Sequence, residues 1–233
     1  MRLPVFQRRR TGDVSASYSA ANNTDIAKLF YCKQQKADDI FKCQPACIYH
    51  NCKCAFNIFV LHKYGDDDPC NGFAAPPNKI YAVYNEQVQC IGFHEDAHLI
   101  SFTINRPPCP AITEGLAMYF DRKWWGVQNM DWTGYYLKIG RYIGIDKMLS
   151  REGFFSEDCS ITYPIMGAFT DWLISTYGIE RYMGMYKQQN MAEAIPLVYQ
   201  KTPEELNKEF VAYVQLFSID EILEQRMGSL LNS

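Results

Sequence analysis

The sequence predicts an α+β fold, with a strand-rich amino-terminal lobe over residues 1–89 and a helical carboxyl-terminal lobe over residues 90–233. Two patterns indicate this division. Residues 78–85 are rich in β-branched and aromatic side chains and alternate with the period of two that a strand requires. From about residue 90 onward, apolar residues recur every three or four positions, as on helices with one buried face. No repeat or low-complexity linker separates the lobes, so we expect a single domain.

The composition indicates a compact protein and gives no sign of a nucleic-acid partner. With 48% hydrophobic and 15% aromatic residues, a chain of 233 residues can bury a full core. The net charge is -3, the pI is near 5.8, and the one notable basic run is Arg8–Arg10. Because proteins that bind nucleic acids carry a basic face, we do not expect that class of partner.

The sequence shows no targeting or membrane-spanning segment. The residues that follow Arg10 are polar, where a signal peptide needs an apolar run of about seven residues or more. No apolar stretch reaches the roughly 18 residues that are needed to span a bilayer. We therefore expect a cytoplasmic protein without a membrane span.

In the amino-terminal lobe, the pattern predicts three strands and one helix. A short strand is predicted over 13–19 and a helix over 25–42, where apolar residues follow a helical period. Two further strands are predicted over 54–64 and 78–85. The residues between them, 65–78, carry three consecutive aspartates, three prolines and two glycines, and are predicted to form a solvated loop.

Four of the nine cysteines lie close together in the sequence CQPACIYHNCKC, with His50 among them. Their spacing does not match the paired C-x2-C pattern of structural zinc sites. An odd number of cysteines in a chain without a signal peptide favours free thiols, while a second metal site or a disulfide stays open. The four residues are Cys43, Cys47, Cys52 and Cys54.

The carboxyl-terminal lobe is predicted to begin with two helices. The first covers 90–104, with Phe93 and Ile100 on its apolar stripe, and the prolines of NRPPCP end it. The second is predicted to open at Thr113 and to run to about Trp124.

Three further helices are predicted after these. One covers 132–144, although its glycines weaken it. The next has Pro164 in its first turn and Gly178 as its carboxyl-terminal cap. The last opens with a capping box between Thr202 and Glu205.

The stretch GFHEDAHLIS carries the strongest chemical signal, because it holds two of only four histidines in the chain. On a helix, His94 and His98 are four residues apart and project together, so both can bind one metal ion. Glu95 lies on the adjoining flank, where it can reach a metal-bound water without binding the metal. Zinc lowers the pKa of such a water to about 7, which leaves Glu95 to act as general base.

A catalytic zinc ion needs a third protein ligand, and several sources can be compared with the sequence. The metzincin pattern requires Gly and His where this chain has Ser101 and Ile104, and no Gly-Thr-Asp segment follows for an aspartate-type site. A glutamate from the next helix remains. Glu114 stands there, beside the small residues Gly115 and Ala117, which would let the two helices pack closely.

These segments resemble a known family of enzymes. HEDAH followed by PAITEGLAMYFD is similar to the gluzincin branch of zinc metallopeptidases, and more narrowly to the peptidase MA-like domains. YPIMGAFTDWLISTYGIERY and LVYQKTPEELNKEFVAYV resemble later segments of the same family. The resemblance covers about residues 90–215.

The resemblance implies a zincin-like α+β fold, with a mixed sheet whose edge aligns an extended substrate and an active-site helix beneath it. It also implies one zinc ion bound by His94, His98 and Glu114, with Glu95 as the catalytic base. The 15 residues between His98 and Glu114 are fewer than in the thermolysin pattern. Met118 also stands where that pattern has an aspartate. The chain therefore resembles a compact member of the gluzincin branch rather than a thermolysin-like enzyme.

Further candidate residues surround this motif. Asp121 lies two helical turns beyond Glu114, where it can accept a hydrogen bond from a ligating histidine, although a plain surface role is open. The resemblance places the hydroxyl of Tyr163 toward the cleft, where it would stabilise an oxyanion, although plain packing of the ring is open as well. Cys90 and Cys109 flank the first helix and are predicted to be buried thiols, with zinc binding or a disulfide as alternatives.

Aromatic and basic residues outside the motif offer weaker candidates. Trp124, Trp125 and Trp132 are predicted to form a core seam, with a specificity pocket as the alternative. Arg106 is a candidate for binding a substrate carboxylate.

Taken together, the sequence predicts zinc-dependent hydrolysis of peptide bonds in a peptide or protein substrate. Two alternatives stay open: a non-catalytic zincin-like module that binds peptides or proteins, and a zinc hydrolase of a non-peptide amide or ester. The complete His-Glu-His-Glu set argues against the binding module, which has no need of Glu95.

Overall fold

The computed structural model describes residues 46–50, 57, 70–86, 90 and 92–232. Its strands in the amino-terminal lobe form one three-stranded mixed sheet: β1 (Ala46–His50), β2 (Gly72–Ala75) and β3 (Lys79–Val83). The strand order is β1-β3-β2, with β3 parallel to β1 and antiparallel to β2. The predicted strand over 78–85 is thereby confirmed as β3, and β2 is an edge strand of this sheet.

Two expectations for this lobe are corrected. The predicted loop 65–78 contains β2, because the short apolar run GFAA pairs with β3 and packs its Phe73 beside Tyr81 and Val83. Asn57, the described residue within the predicted strand 54–64, has helical backbone. The predicted strand 13–19 and helix 25–42 lie outside the described residues.

The cysteine cluster is described only in part. Cys47 and His50 belong to β1. The other three cysteines, Cys43, Cys52 and Cys54, lie outside the described residues.

Ten helices follow within residues 92–232, so the α+β class is confirmed for the described residues, which are mostly helical. The helices are α1 (His94–Phe102), α2 (Pro110–Asp121), α3 (Asn129–Lys138), α4 (Ile145–Met148), α5 (Arg151–Phe155), α6 (Cys159–Tyr177), α7 (Ile179–Tyr186), α8 (Met191–Tyr199), α9 (Pro203–Val214) and α10 (Glu221–Leu231). Between α2 and α3 lies a short antiparallel hairpin of β4 (Lys123–Trp124) and β5 (Val127–Gln128).

The bounds of the first three helices differ from the predicted ones. α1 begins at His94, and Phe93 is its N-cap residue, with half of its surface exposed. The helix packs against both β2 and α2, and the consecutive residues Ala97, His98 and Leu99 are buried, so burial is not confined to the predicted stripe. α2 begins at Pro110 rather than Thr113, since proline is favoured at the first helical position. α2 ends before Arg122, whose φ of 66° is left-handed. α3 covers Asn129–Lys138 and stops short of the glycine-containing residues 139–144.

α6 is the central helix of the fold and packs against α2 and α3. Pro164 lies inside α6 rather than in its first turn, because the helix begins at Cys159, capped by the side chain of Asp158. A proline has no N–H to donate to the carbonyl four residues earlier, that of Ser160. The buried hydroxyl of Tyr136 donates to this carbonyl oxygen at 2.7 Å. α3 therefore supplies the hydrogen bond that α6 lacks.

Small residues let α2 and α6 approach closely. A Cβ atom added to Gly115 would lie 2.7 Å from Thr170 Oγ1, and one added to Gly167 would lie 2.7 Å from Met118 Cβ. The absence of a side chain at both positions therefore allows the close approach of α2, which carries Glu114, to α6.

The predicted helix ends in the last part of the chain are confirmed. Gly178 caps α6 with φ 88°, and its N–H donates to the carbonyl of Ile174. The capping box between Thr202 and Glu205 opens α9. No helix among the described residues combines the length and apolarity needed to cross a membrane.

Candidate metal centre

Two helices bring three potential metal ligands together. His94 and His98 lie one turn apart on α1, and Glu114 projects from α2 between their rings. The Oε2 atom of Glu114 is 3.0 Å from His94 Nε2 and 3.2 Å from His98 Nε2. One ligand atom from each residue lies within 4.8 Å of the others, so the group can hold a metal ion.

The donor set and its spacing fit zinc. Tetrahedral zinc binds imidazole nitrogen and carboxylate oxygen at about 2.0 to 2.2 Å, which places neighbouring ligand atoms roughly 3.3 Å apart. The two nitrogen-to-oxygen distances of 3.0 and 3.2 Å are close to that value. Two of the three ligand pairs therefore have nearly the spacing that a tetrahedral ion requires.

Asp121 orients the His94 ring. Its Oδ2 atom lies 3.3 Å from His94 Nδ1, and its Oδ1 atom accepts a hydrogen bond of 3.2 Å from the backbone N–H of Phe93. One carboxylate at the end of α2 thus holds both the start of α1 and the imidazole. Because the hydrogen on Nδ1 points to Asp121, Nε2 is the ring nitrogen left to bind a metal.

His98 is the more buried of the two histidines, with 7% of its surface exposed. Its ring stacks on Phe102 at a centroid distance of 5.3 Å. Its Nδ1 atom is buried and has no hydrogen-bond partner within the described part of the chain. Packing against Phe102, rather than a hydrogen bond to Nδ1, therefore holds this ring in place.

The charges of the cluster reinforce one another. Burial alone would raise the pKa of Glu114, but the two imidazoles that contact its carboxylate outweigh burial and hold the pKa well below its usual range. Burial likewise would lower the pKa of His94, yet its hydrogen bonds to Asp121 and Glu114 raise it well above 6.5. The contact between the two groups therefore favours the ionised form of Glu114 and the protonated form of His94.

Glu95 lies beside the three ligands but outside their cluster. It is partly buried, and its carboxylate packs over Gly72 at the start of β2, where an added Cβ would lie 2.5 Å from Oε1. Burial raises the pKa of Glu95, while the nearby histidines oppose that shift. Cys90 packs at the same place, and burial together with Glu95 and Asp121 raises its pKa to about 12.

Tyr163 stands on the other side of His94. Its ring is nearly parallel to the imidazole, with 13° between the planes and 6.1 Å between the centroids. Trp124 and Phe154 flank the tyrosine at 5.7 and 5.4 Å. The structure therefore brings Tyr163 to the edge of the metal centre.

The other sequence candidates take different positions. Cys109 is buried, and its thiol donates to the carbonyl of Leu149 at 3.1 Å. Arg106 lies over the ring of Phe102 at 4.8 Å. Trp132 is fully buried and donates from Nε1 to the carbonyl of Trp124 at 2.8 Å. The predicted core seam is wrong for Trp125, which stands in the turn between β4 and β5 and is 47% exposed.

Gly72 is a residue of this site that sequence patterns do not reveal. It stands in the segment predicted to be a loop, and nothing local to GFAA links it to Glu95. Only the pairing of β2 with β3, and the packing of β2 on α1, bring Gly72 under that carboxylate.

Comparisons of this chain with protein-family models, curated proteins and solved structures found no match.

Proposed function

We propose that this protein is a zinc-dependent peptidase of the gluzincin type, with a zincin-like fold. The observation that carries the proposal is the different placement of two glutamates. Glu114 contacts both His94 and His98, whereas Glu95, on the same helix as the histidines, stays outside the ligand group. A site built only to hold a metal ion has no use for a second, partly desolvated carboxylate at this position.

The residues have distinct roles in this proposal. His94 Nε2, His98 Nε2 and Glu114 would hold the ion, and three protein ligands are the number typical of a catalytic zinc site. A bound zinc ion supplies a Lewis acid for the substrate carbonyl and a water acidic enough to lose a proton near neutral pH. Glu95 accepts that proton on its carboxylate and delivers it to the leaving amine nitrogen. Its raised pKa brings it nearer to the value that suits a base at neutral pH.

Tyr163 is proposed to stabilise the oxyanion that forms at the scissile carbonyl. Its ring lies alongside His94, on the face of the site formed by α6. A hydroxyl that donates to developing negative charge stabilises the transition state more than the ground state.

The test compares the wild type with Glu114→Ala and Glu95→Gln. Bound zinc is measured by mass spectrometry and cleavage on a diverse quenched-peptide library. We expect one zinc ion in the wild type, loss of the metal in Glu114→Ala, and retained metal with a loss of at least about 100-fold in rate in Glu95→Gln. Glu193→Gln, an exposed glutamate in the first turn of α8, is the matched control and should change neither property.

Three results would contradict the proposal. Full zinc occupancy in Glu114→Ala would place the third ligand elsewhere. A wild type that binds zinc and peptides without cleaving them would indicate the binding module. Cleavage of amide or ester substrates but of no peptide would indicate a hydrolase of another class, since the site chemistry is shared.

A further inference from the structure

The hairpin between α2 and α3 places a tryptophan where its backbone is strained. Trp125 and Gly126 form the two-residue turn between β4 and β5, with φ values of 49° and 75°. Two successive left-handed residues define a type I′ turn, which favours Asn, Asp or Gly at both positions. A bulky side chain in this conformation carries an energetic cost, which is a reason to ask what Trp125 does.

Core packing explains only part of the Trp125 side chain, whose ring lies 6.0 Å from that of Trp132 in an edge-to-face contact. Trp125 is 47% exposed, although Trp132 and Tyr136 behind the hairpin are fully buried. A turn of Asn-Gly would close the same hairpin with less strain and would expose less apolar surface.

Trp125 is one end of a continuous aromatic surface that reaches the metal centre. Its ring lies 5.7 Å from that of Trp124, Trp124 lies 5.7 Å from Tyr163, and Tyr163 lies 6.1 Å from His94. We call Trp124, Trp125 and Tyr163 the aromatic ledge. Trp124 and Tyr163 are partly exposed and Trp125 is exposed, so each member of the ledge keeps some surface accessible to solvent.

We propose that the aromatic ledge is a substrate subsite that binds a large apolar side chain, aromatic ones best, of an extended peptide. The proposal rests on the peptidase function, because it takes the metal centre as the place of cleavage. Offset and edge-to-face contacts between rings favour aromatic side chains over aliphatic ones of similar area.

The length of the ledge sets where this side chain lies in the substrate. An extended chain advances about 3.3 Å per residue, so three ring-to-ring steps correspond to at most about five residues. The preferred side chain therefore lies within about five residues of the cleaved bond. Dipeptides and tripeptides, which end before the outer part of the ledge, gain less from it than longer peptides do.

The test uses Trp125→Asn, a substitution that suits the type I′ turn and so should fold at least as well as the wild type. Leu197→Asn is the matched control, because it also removes an exposed apolar side chain, from α8. Both changes are made in the wild type and in Glu95→Gln. Labelled ten-residue peptides carry a single Phe, Leu, Ala or Asp at each position in turn, and binding to the zinc-loaded Glu95→Gln proteins is measured by fluorescence anisotropy.

We expect the peptide with Phe at one position to bind more tightly than the peptide with Ala there. Trp125→Asn should reduce this ratio of affinities about tenfold, whereas Leu197→Asn should leave the ratio unchanged. In the wild type, cleavage should show the same preference, within five residues of the bond. Unchanged selectivity in a folded Trp125→Asn protein would overturn the ledge, whether or not peptides are cleaved. Trp125-dependent binding without any cleavage would instead support the ledge and contradict the peptidase function.

Discussion

The His94 imidazole lies between two carboxylates, with Glu114 at Nε2 and Asp121 at Nδ1. Burial favours its neutral form, but the two hydrogen bonds raise its pKa well above 6.5. A group whose pKa is raised on folding adds stability below its unfolded pKa. That contribution is lost as the pH rises through the folded pKa. Both carboxylates therefore favour the protonated form of His94 in the metal-free protein, with a hydrogen on the nitrogen that zinc would use.

Zinc binding at pH 7 should release about one proton per ion, because His94 must lose the hydrogen on Nε2 while Glu114 is already ionised. Calorimetric titration in two buffers with different protonation enthalpies measures this number directly. Zinc affinity should also rise with pH up to the pKa of His94 in the metal-free protein.

Asp121→Asn is the control for this prediction. The amide oxygen can still accept from the backbone of Phe93, but the negative charge next to His94 is gone, so fewer protons should be released at pH 7. Equal heats in both buffers for the wild type would show that His94 is already neutral before zinc binds.

Much of this site can be predicted residue by residue, and the reason is helical geometry. Residues at i and i+4 on a helix must share a face, so the sequence separation of His94 and His98 is enough to pair them. The seven-residue spacing from Glu114 likewise places Asp121 near a histidine. No such rule connects Gly72 to Glu95, because that contact depends on how a strand packs across a helix.

Among the elements, α6 shows how one helix depends on another. Pro164 leaves the carbonyl of Ser160 without an intrahelical donor, and Tyr136 on α3 donates instead. Tyr136→Phe should therefore lower the free energy of unfolding by about 1 to 3 kcal/mol, the cost of leaving a buried carbonyl unsatisfied. Urea denaturation monitored by circular dichroism measures this loss.

A double-mutant cycle tests the cause of that loss. In a Pro164→Ala background, residue 164 regains an N–H that can donate to Ser160, so Tyr136→Phe should cost less than in the wild type. Tyr135→Phe, a neighbouring change on α3, serves as the control for removing a hydroxyl. Equal costs in both backgrounds would mean that Tyr136 acts through packing alone.

The elements that sequence patterns miss are short ones. β2 has four residues, and β4 and β5 have two each, which is too few for an alternating pattern to stand out. Helical periodicity also continues past Asp121 into Arg122 and Trp124, and only the left-handed backbone of Arg122 shows where α2 ends. The predicted position of Pro164 in the first turn is wrong because the polar residues before it hide the start of α6.

Across the whole molecule, α1 joins the sheet to the helical core. It packs on β2 through the region of Gly72 and on α2 through the metal centre. The apolar cluster of the sheet is small, whereas the main core takes residues from every helix from α2 to α10. An ion shared by α1 and α2 should therefore tie the sheet side of the molecule to its larger core.

Zinc should accordingly stabilise the folded state as a whole. At a free concentration 100 times the dissociation constant, the free energy of unfolding should rise by about 2.7 kcal/mol. Thermal denaturation with and without a chelator measures the increment. Glu95→Gln should keep it and Glu114→Ala should lose it, and an increment that survives in Glu114→Ala would mean that zinc binds at another place.

The four residues of the proposed centre lie between positions 94 and 114, and Asp121 follows within the same helix pair. Closing so short a loop costs little conformational entropy, and the ligands need no segment from later in the chain to meet. During synthesis, α1 and α2 leave the ribosome well before α6, which buries the back of α2. The centre can therefore take up its metal as a surface site in the growing chain and become part of the interior only when α6 arrives.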